Sequence, residues 1–255
     1  MKAPVVVIGL GEMGRLVAAG LLRAGHPVYP ITREMDLDRE STLVPGPEMA
    51  VVAVGEKDLH SVLEGMPENW RDRSCLLQNE LLPQDWREHR ILRPTVIVAW
   101  FEKKRGRGIT VILPSPVYGP KASLLLSALG SLEIPAVEVR DAADMLREMV
   151  RKNLYILCAN LAGLVVGGTV GDLWSRHRPL AREIANEVLD VQQWLVREAL
   201  PREQLIAALG EAFEADPDHE ALGRSARERL LRVLRTADEA GLAVARVRQI
   251  RQEIG

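Results

Sequence analysis

The stretch VVVIGLGEMGRLVAAGLLRAG (5–25) constrains the fold more than any other part of the chain. VVVIGL (5–10) is short, apolar and rich in β-branched residues, which reads as a buried strand. GRLVAAGLLRAG (14–25) carries apolar residues at helical spacing and stops at Gly25. Between the two, Gly9, Gly11 and Gly14 make GxGxxG. A strand that turns straight into a helix through this pattern suits a dinucleotide. The first glycine permits the tight turn, the second lets backbone approach a pyrophosphate, and the third lets the helix pack closely on the strand. The N-terminus of the helix then faces the phosphates. Gly9, Leu10, Gly11, Glu12, Met13 and Gly14 are therefore candidate cofactor contacts.

Further strand-like runs follow at PVYPI (27–31), MAVVAV (49–54), SCLLQN (74–79), TVIVAW (95–100) and ITVIL (109–113), bounded by glycine, proline or charge. Strands alternating with amphipathic segments imply βαβ units and a largely parallel sheet. After about residue 139 the pattern is helical only, broken at SRHRP (175–179), LPRE (200–203) and ADPDHE (215–220). The prediction is an α/β chain: a Rossmann-type dinucleotide-binding domain over 1–139, then an all-helical domain over 140–255. At 255 residues the chain is long enough for both.

Several function classes drop out. A net charge of −2, with no basic run interleaved with aromatics, gives no reason to expect nucleic acid. EKKRGRG (102–108) lies between apolar segments and reads as a solvated hairpin loop. Cys75 and Cys158 sit in apolar runs, where cysteine behaves as a small hydrophobe, and two cysteines make no disulfide framework. The apolar start is too short for a membrane span and has no cleavage-site pattern, so a cytoplasmic protein without a membrane partner is expected. His26, His60, His89, His177 and His219 show no metal spacing, and no metal is expected. His26 belongs to the turn into the second strand. SPVYGP (115–120) reads as a proline-bounded turn, with Tyr118 able to reach a cleft between the domains. Trp174 and Trp194 read as helix-packing residues.

The end of the second strand selects the cofactor. Asp or Glu there would bind the ribose hydroxyls of NAD, but here the strand runs into Thr32 and Arg33, with Glu34 next door. A hydroxyl followed by a guanidinium suits a 2′-phosphate, so NADP(H) is the expected cofactor.

Read with three later stretches, these residues resemble the ketopantoate reductase family. LLQNELLP (76–83) is similar to the family's strand end Leu-Gln-Asn-Gly, with Asn79 matching its asparagine and Glu80 replacing its glycine. MVRKNLYILCANLAGLVVGG (149–168) is similar to the family's helix that carries a lysine and, at four-residue steps, two asparagines. Lys152 and Asn160 match the lysine and the second asparagine, and Ile156 replaces the first. GGTVGDLWSRHRPLAREIANEVLDV (167–191) looks like the family's Gly-x-Thr-x-Gly-Glu-Leu segment and the helix after it. The likeness covers roughly 1–195. Beyond it, Ser225 and RTADEAG stand where the family has a serine and then Thr-Glu-Ile-Asp, and Asp238 or Glu239 meets that glutamate only with a shift of register. In the loop after the third strand, AVGEK puts Gly55 at the family's lysine and Lys57 two residues on. The resemblance implies cofactor contacts from Val54, Gly55 and Asn79. It also implies Lys152 as the catalytic group, and Asn160 and Asn79 as substrate-binding amides.

The residues themselves support that role for Lys152. Positions four and eight residues on drift by about 40° and about 80° around a helix, so Lys152, Ile156 and Asn160 share one broad face, expected to look toward the nicotinamide edge of the first domain. Hydride addition to a carbonyl builds negative charge on oxygen, which an ammonium stabilises and protonates. Asn153, one residue off that face, reads as a solvated or capping amide. The leading expectation is an NADPH-dependent reductase of a small 2-keto acid or related carbonyl, with the helical domain as the candidate surface for a homodimer. Two alternatives stay open. One is another reductase with a Rossmann and a helical domain, of the β-hydroxyacid dehydrogenase or pyrroline-carboxylate reductase type. The other is a non-catalytic NADP(H)-binding sensor or assembly protein.

Overall fold

A computed structural model describes residues 2–255. Its first half holds strands β1 (Val5–Ile8), β2 (Val28–Ile31), β3 (Met49–Val52), β4 (Ser74–Leu76), β5 (Thr95–Ile97), β6 (Phe101–Lys103), β7 (Ile109–Val111), β8 (Ser115–Tyr118) and β9 (Ala136–Glu138). Among the described residues seven of these form one sheet in the order β2-β1-β3-β4-β5-β8-β9, and β6 and β7 form a separate hairpin. β1 to β5 are parallel, β8 is antiparallel to β5, and β9 is parallel to β8. Between the strands lie α1 (Glu12–Arg23), α2 (Leu37–Leu43), α3 (Leu59–Glu64), α4 (Glu68–Arg71), α5 (Pro83–Arg87) and α6 (Ala122–Gly130).

The inner parallel strands β1, β3, β4 and β5 are buried on both faces because helices cover both. Val5, Val7, Met49, Val51, Cys75, Ile97 and Val117 join Val17 and Leu21 of α1 and Leu125 and Leu129 of α6 in one core cluster. The alternate residues Val6, Ile8, Ala50, Val52 and Leu76 are equally buried. α1 and α6 approach closely: a Cβ on Gly20 would stand 2.5 Å from the Ala128 carbonyl oxygen. Pro30 is tolerated because β2 is an edge strand, and its missing N–H faces outward.

Three strands, β6, β8 and β9, differ from the sequence reading. SPVYGP is not a turn: Ser115–Tyr118 is β8, with Val117 fully buried between β5 and β9. Pro116 forfeits a donor but its carbonyl still accepts from Val98 N at 2.9 Å, so the proline costs the ladder one bond. β9 is three residues long, too short for an alternating pattern to register. The basic loop is shorter than expected: Glu102 and Lys103 belong to β6 and pair with β7, and 104–108 form the tip of that hairpin.

The second half is helical: α7 (Ala142–Val166), α8 (Val170–Arg176), α9 (Arg178–Val196), α10 (Arg202–Ala215), α11 (Ala226–Ala240) and α12 (Ala245–Glu253). The chain divides into two compact units, the first ending at Met149 and the second running Val150–Gly255, so the division falls inside α7. In the second unit α9 is central and packs against α8, α10, α11 and α12. Asn153 is not solvated. It is 1% exposed and its Nδ2 donates to Gln192 Oε1 at 3.1 Å, tying α7 to α9. A single residue of rotation on α7 separates a wet amide from a buried one, and only the position of α9 decides it.

Trp174 is buried against Phe213, but Trp194 is 44% exposed and packs far less than its residue type suggested. α7 is long and apolar enough to span a bilayer, and 78% of that apolar window is buried inside the fold, as in a core helix. Cys75 and Cys158 are buried and unbridged, and desolvation pushes each thiol up to about 12, so neither serves as a thiolate nucleophile.

Candidate active site

The first unit gathers its sequence-predicted residues at the carboxyl ends of β1 to β4. β1 lies between β2 and β3, so the chain moves to opposite sides of β1 after β2. In an open α/β sheet that switch point opens a crevice beyond the strand ends, where ligands bind. Gly9 ends β1 with φ +91, and its amide donates to the Ile31 carbonyl at 3.0 Å. A Cβ on Gly14 would fall 1.9 Å from the Gly9 carbonyl oxygen, so the start of α1 is pressed onto the turn. Gly11, the N-cap of α1, is different. Its φ of −66 suits any residue, and a Cβ there would meet nothing within 4 Å. Packing within the chain explains Gly9 and Gly14 and leaves Gly11 unexplained. Beside it lies open space, unlike at Gly9 and Gly14. Leu10 and Met13 turn their side chains into the core, leaving their backbones at the turn, while Glu12 opens α1.

Thr32 and Arg33 follow β2 and are exposed, Arg33 by 85% of its side chain. The Arg33 guanidinium stands 3.9 Å from Asp58, in the 3-10 turn (Glu56–Asp58) that follows β3. An ion pair this exposed is worth little and yields readily to a better anion. Val54 is half-buried and Gly55 exposed, capping that turn.

At the end of β4, sequence reasoning passed over Gln78. This buried amide donates to the Val52 carbonyl at 2.7 Å and accepts from Leu77 N at 3.2 Å, so it fastens the ends of β3 and β4 to each other. Asn79 beside it is exposed. Glu80, where a glycine was expected from the resemblance, sits at φ +59. The left-handed backbone that glycine favours is kept although the glycine is gone.

Just beyond, Asp85 Oδ2 accepts from Leu82 N at 2.6 Å and anchors the start of α5. Burial pushes its carboxyl up to about 6, against the hydrogen bond from Leu82 and the nearby His60, while Glu88 and Glu80 add to the rise. A carboxyl raised in the folded state binds its proton more tightly there than in the unfolded chain. Its stabilising contribution is complete below about pH 3.8 and is lost as pH rises through about 6. Asp85→Asn should therefore gain on the parent as pH rises from 4 to 7.5, by on the order of 1–3 kcal/mol in all. Urea unfolding of both proteins across that range checks it, and a difference independent of pH would refute it.

In the second unit, Lys152, Ile156 and Asn160 lie on successive turns of α7. Lys152 is half-buried, with its Nζ 5.2 Å from the centre of the Tyr155 ring. Asn160 is 7% exposed and engaged at both polar ends. Its Nδ2 donates to the Ala221 carbonyl at 3.4 Å, and its Oδ1 accepts from Arg229 Nη1 at 3.1 Å. Gly223 is pressed against it, since a Cβ there would lie 2.6 Å from Asn160 Oδ1. Arg229 of α11 is itself buried and was not anticipated. An arginine in an amphipathic helix reads as solvated until its partner, 69 residues away, is known. Ser225 precedes α11, and Asp238 pairs with Arg248.

A five-stranded parallel core with a glycine turn at its switch point, followed by a helical unit, defines a Rossmann-type fold with a helical second unit. No protein-family profile matches the chain, and no curated protein sequence matches it. Solved structures do. The 2-dehydropantoate 2-reductase of Methylococcus capsulatus is 15% identical, with 97% of this chain and 94% of that one covered at a TM-score of 0.70. A ketopantoate reductase of Ralstonia eutropha JMP134 is 16% identical over 100% of this chain and 97% of that one, with a TM-score of 0.68. D-mandelate dehydrogenase, solved with NADH, is 13% identical over 99% and 97%, with a TM-score of 0.69. The chain has the ketopantoate reductase fold.

Proposed function

We propose that the chain is an NADPH-dependent reductase of a small 2-keto acid or related carbonyl. The observation that carries the cofactor half is the open space at Gly11 beside two glycines that the chain's own packing demands. Backbone N–H groups of Gly11 to Gly14 at the start of α1 would hold the pyrophosphate, and Thr32 and Arg33 the 2′-phosphate. Val54, Gly55 and Asn79 would line the rest of the nucleotide's course. The bound cofactor supplies a hydride. Lys152 would stabilise and protonate the carbonyl oxygen, and Asn79 would orient the substrate. Asn160 would act through Arg229 as much as directly.

A non-catalytic NADP(H)-binding protein is the second reading, and the engaged state of Asn160 favours it. Screening short 2-keto acids with NADPH separates the two. Turnover of at least one supports the enzyme, whereas NADPH binding without turnover of any supports the sensor.

Cofactor choice has its own test. NADPH should bind more tightly than NADH, and Arg33→Asp should abolish or reverse the preference. A charge-assisted contact of about 1.5–3 kcal/mol corresponds to roughly a ten- to hundredfold change in the affinity ratio. Fluorescence titration of both cofactors reads it, and equal affinities in the parent would remove the role given to Arg33.

A further inference from the structure

We propose that His60, Glu88 and His89 form a zinc site in the first unit, corresponding to nothing in the reductase reading. His60 Nδ1 lies 3.0 Å from His89 Nε2 and 2.8 Å from Glu88 Oε1, and that same oxygen lies 3.4 Å from His89 Nε2. Three donor atoms thus close a triangle with edges of 2.8 to 3.4 Å. Tetrahedral zinc with bonds of about 2.0–2.1 Å holds its ligands about 3.3 Å apart, so the triangle is one face of such a tetrahedron with little adjustment. The imidazole rings are not stacked. Their centres are 5.3 Å apart and their planes tilted by 45°, while the two nitrogens converge.

Both arms of the site are held by the core. His60 stands in the first turn of α3 between the buried Leu59 and Leu63. Glu88 and His89 ride on the turn after α5, where His89 N and Ile91 N both donate to the carbonyl of the buried Trp86. Ligands fixed by rigid neighbours need less ordering to bind a metal. Glu88 and His60 are about half exposed, which leaves the fourth position to water. Two imidazoles and one carboxylate suit zinc and its first-row neighbours, whereas magnesium and calcium prefer an all-oxygen shell. Zinc here would join the segment following β3 to the one following β4, across 29 residues of sequence.

The test uses the full chain without a histidine tag, stripped with a chelator. Titration calorimetry should show one zinc per chain, and the melting temperature should rise with zinc concentration but not with magnesium. Cobalt(II) should give the intense visible absorption of a four-coordinate site. His60→Gln and His89→Gln should each weaken zinc binding by at least the ten- to hundredfold that losing an outer-shell partner costs. Their metal-free melts, matching the parent's, show that they fold. A parent that takes up no zinc at micromolar concentration, or uptake unchanged when both histidines are replaced, overturns the site.

Discussion

Lys152→Ala is expected to lower kcat by on the order of 10²–10⁴-fold while NADPH affinity stays near the parent value. The charge on the carbonyl oxygen exists mainly in the transition state, so an ammonium that meets it acts on turnover and little on binding. Lys152 is half-buried on a helix of the second unit, against the face of Tyr155 at 5.2 Å. A cation–π contact restrains the side chain at a value of about 0.5–1 kcal/mol without neutralising it. Lys152→Arg separates charge from proton transfer, because a guanidinium keeps the charge but does not release a proton near neutral pH. It should restore a fraction of the activity. Since Lys152 is not a core residue, melting temperatures of both variants should stay close to the parent's. Steady-state kinetics on a 2-keto acid identified by the screen is the measurement. A kcat within threefold of the parent for Lys152→Ala would remove lysine from the chemistry.

The second large effect concerns the glycines, where two substitutions in one motif should fail differently. Gly14→Ala drives a methyl to 1.9 Å from the Gly9 carbonyl oxygen, and backbone has to shift. Overpacking of this kind costs about 1–3 kcal/mol, so stability and NADPH binding should fall together. Gly11→Val puts its side chain into open space on a backbone of ordinary φ, and stability should fall by no more than about 1 kcal/mol, the usual cost of a poor N-cap residue. NADPH affinity should nevertheless fall by at least on the order of 100-fold, because the side chain occupies the pyrophosphate's place. Unfolding curves and cofactor titrations on both variants decide it. If Gly11→Val binds NADPH as the parent does, the crevice at β1 is not the nucleotide site.

These predictions rest on features of unequal visibility in the sequence. The strands β1 to β5, the glycine turn and the helices after Ala142 were legible because each is set by local chemistry: β-branched runs, glycine spacing and apolar periodicity. β8 was missed because Pro116 within it and Pro120 beyond it read as turn residues, and only the carbonyl at Pro116, paired across to Val98, shows that the ladder survives. The departure at Glu80 was visible as a missing glycine, but its φ of +59 was not. By itself, then, the sequence determined the α/β-then-helical architecture and the glycine turn that joins β1 to α1. The tertiary structure alone decided which polar groups meet. It brought Asn160 to Arg229 across 69 residues, buried Asn153 against Gln192, and closed His60, Glu88 and His89 into a triangle. Those pairings depend on how helices lie against one another, and side-chain periodicity reports only which face of a helix is buried, not what it is buried against.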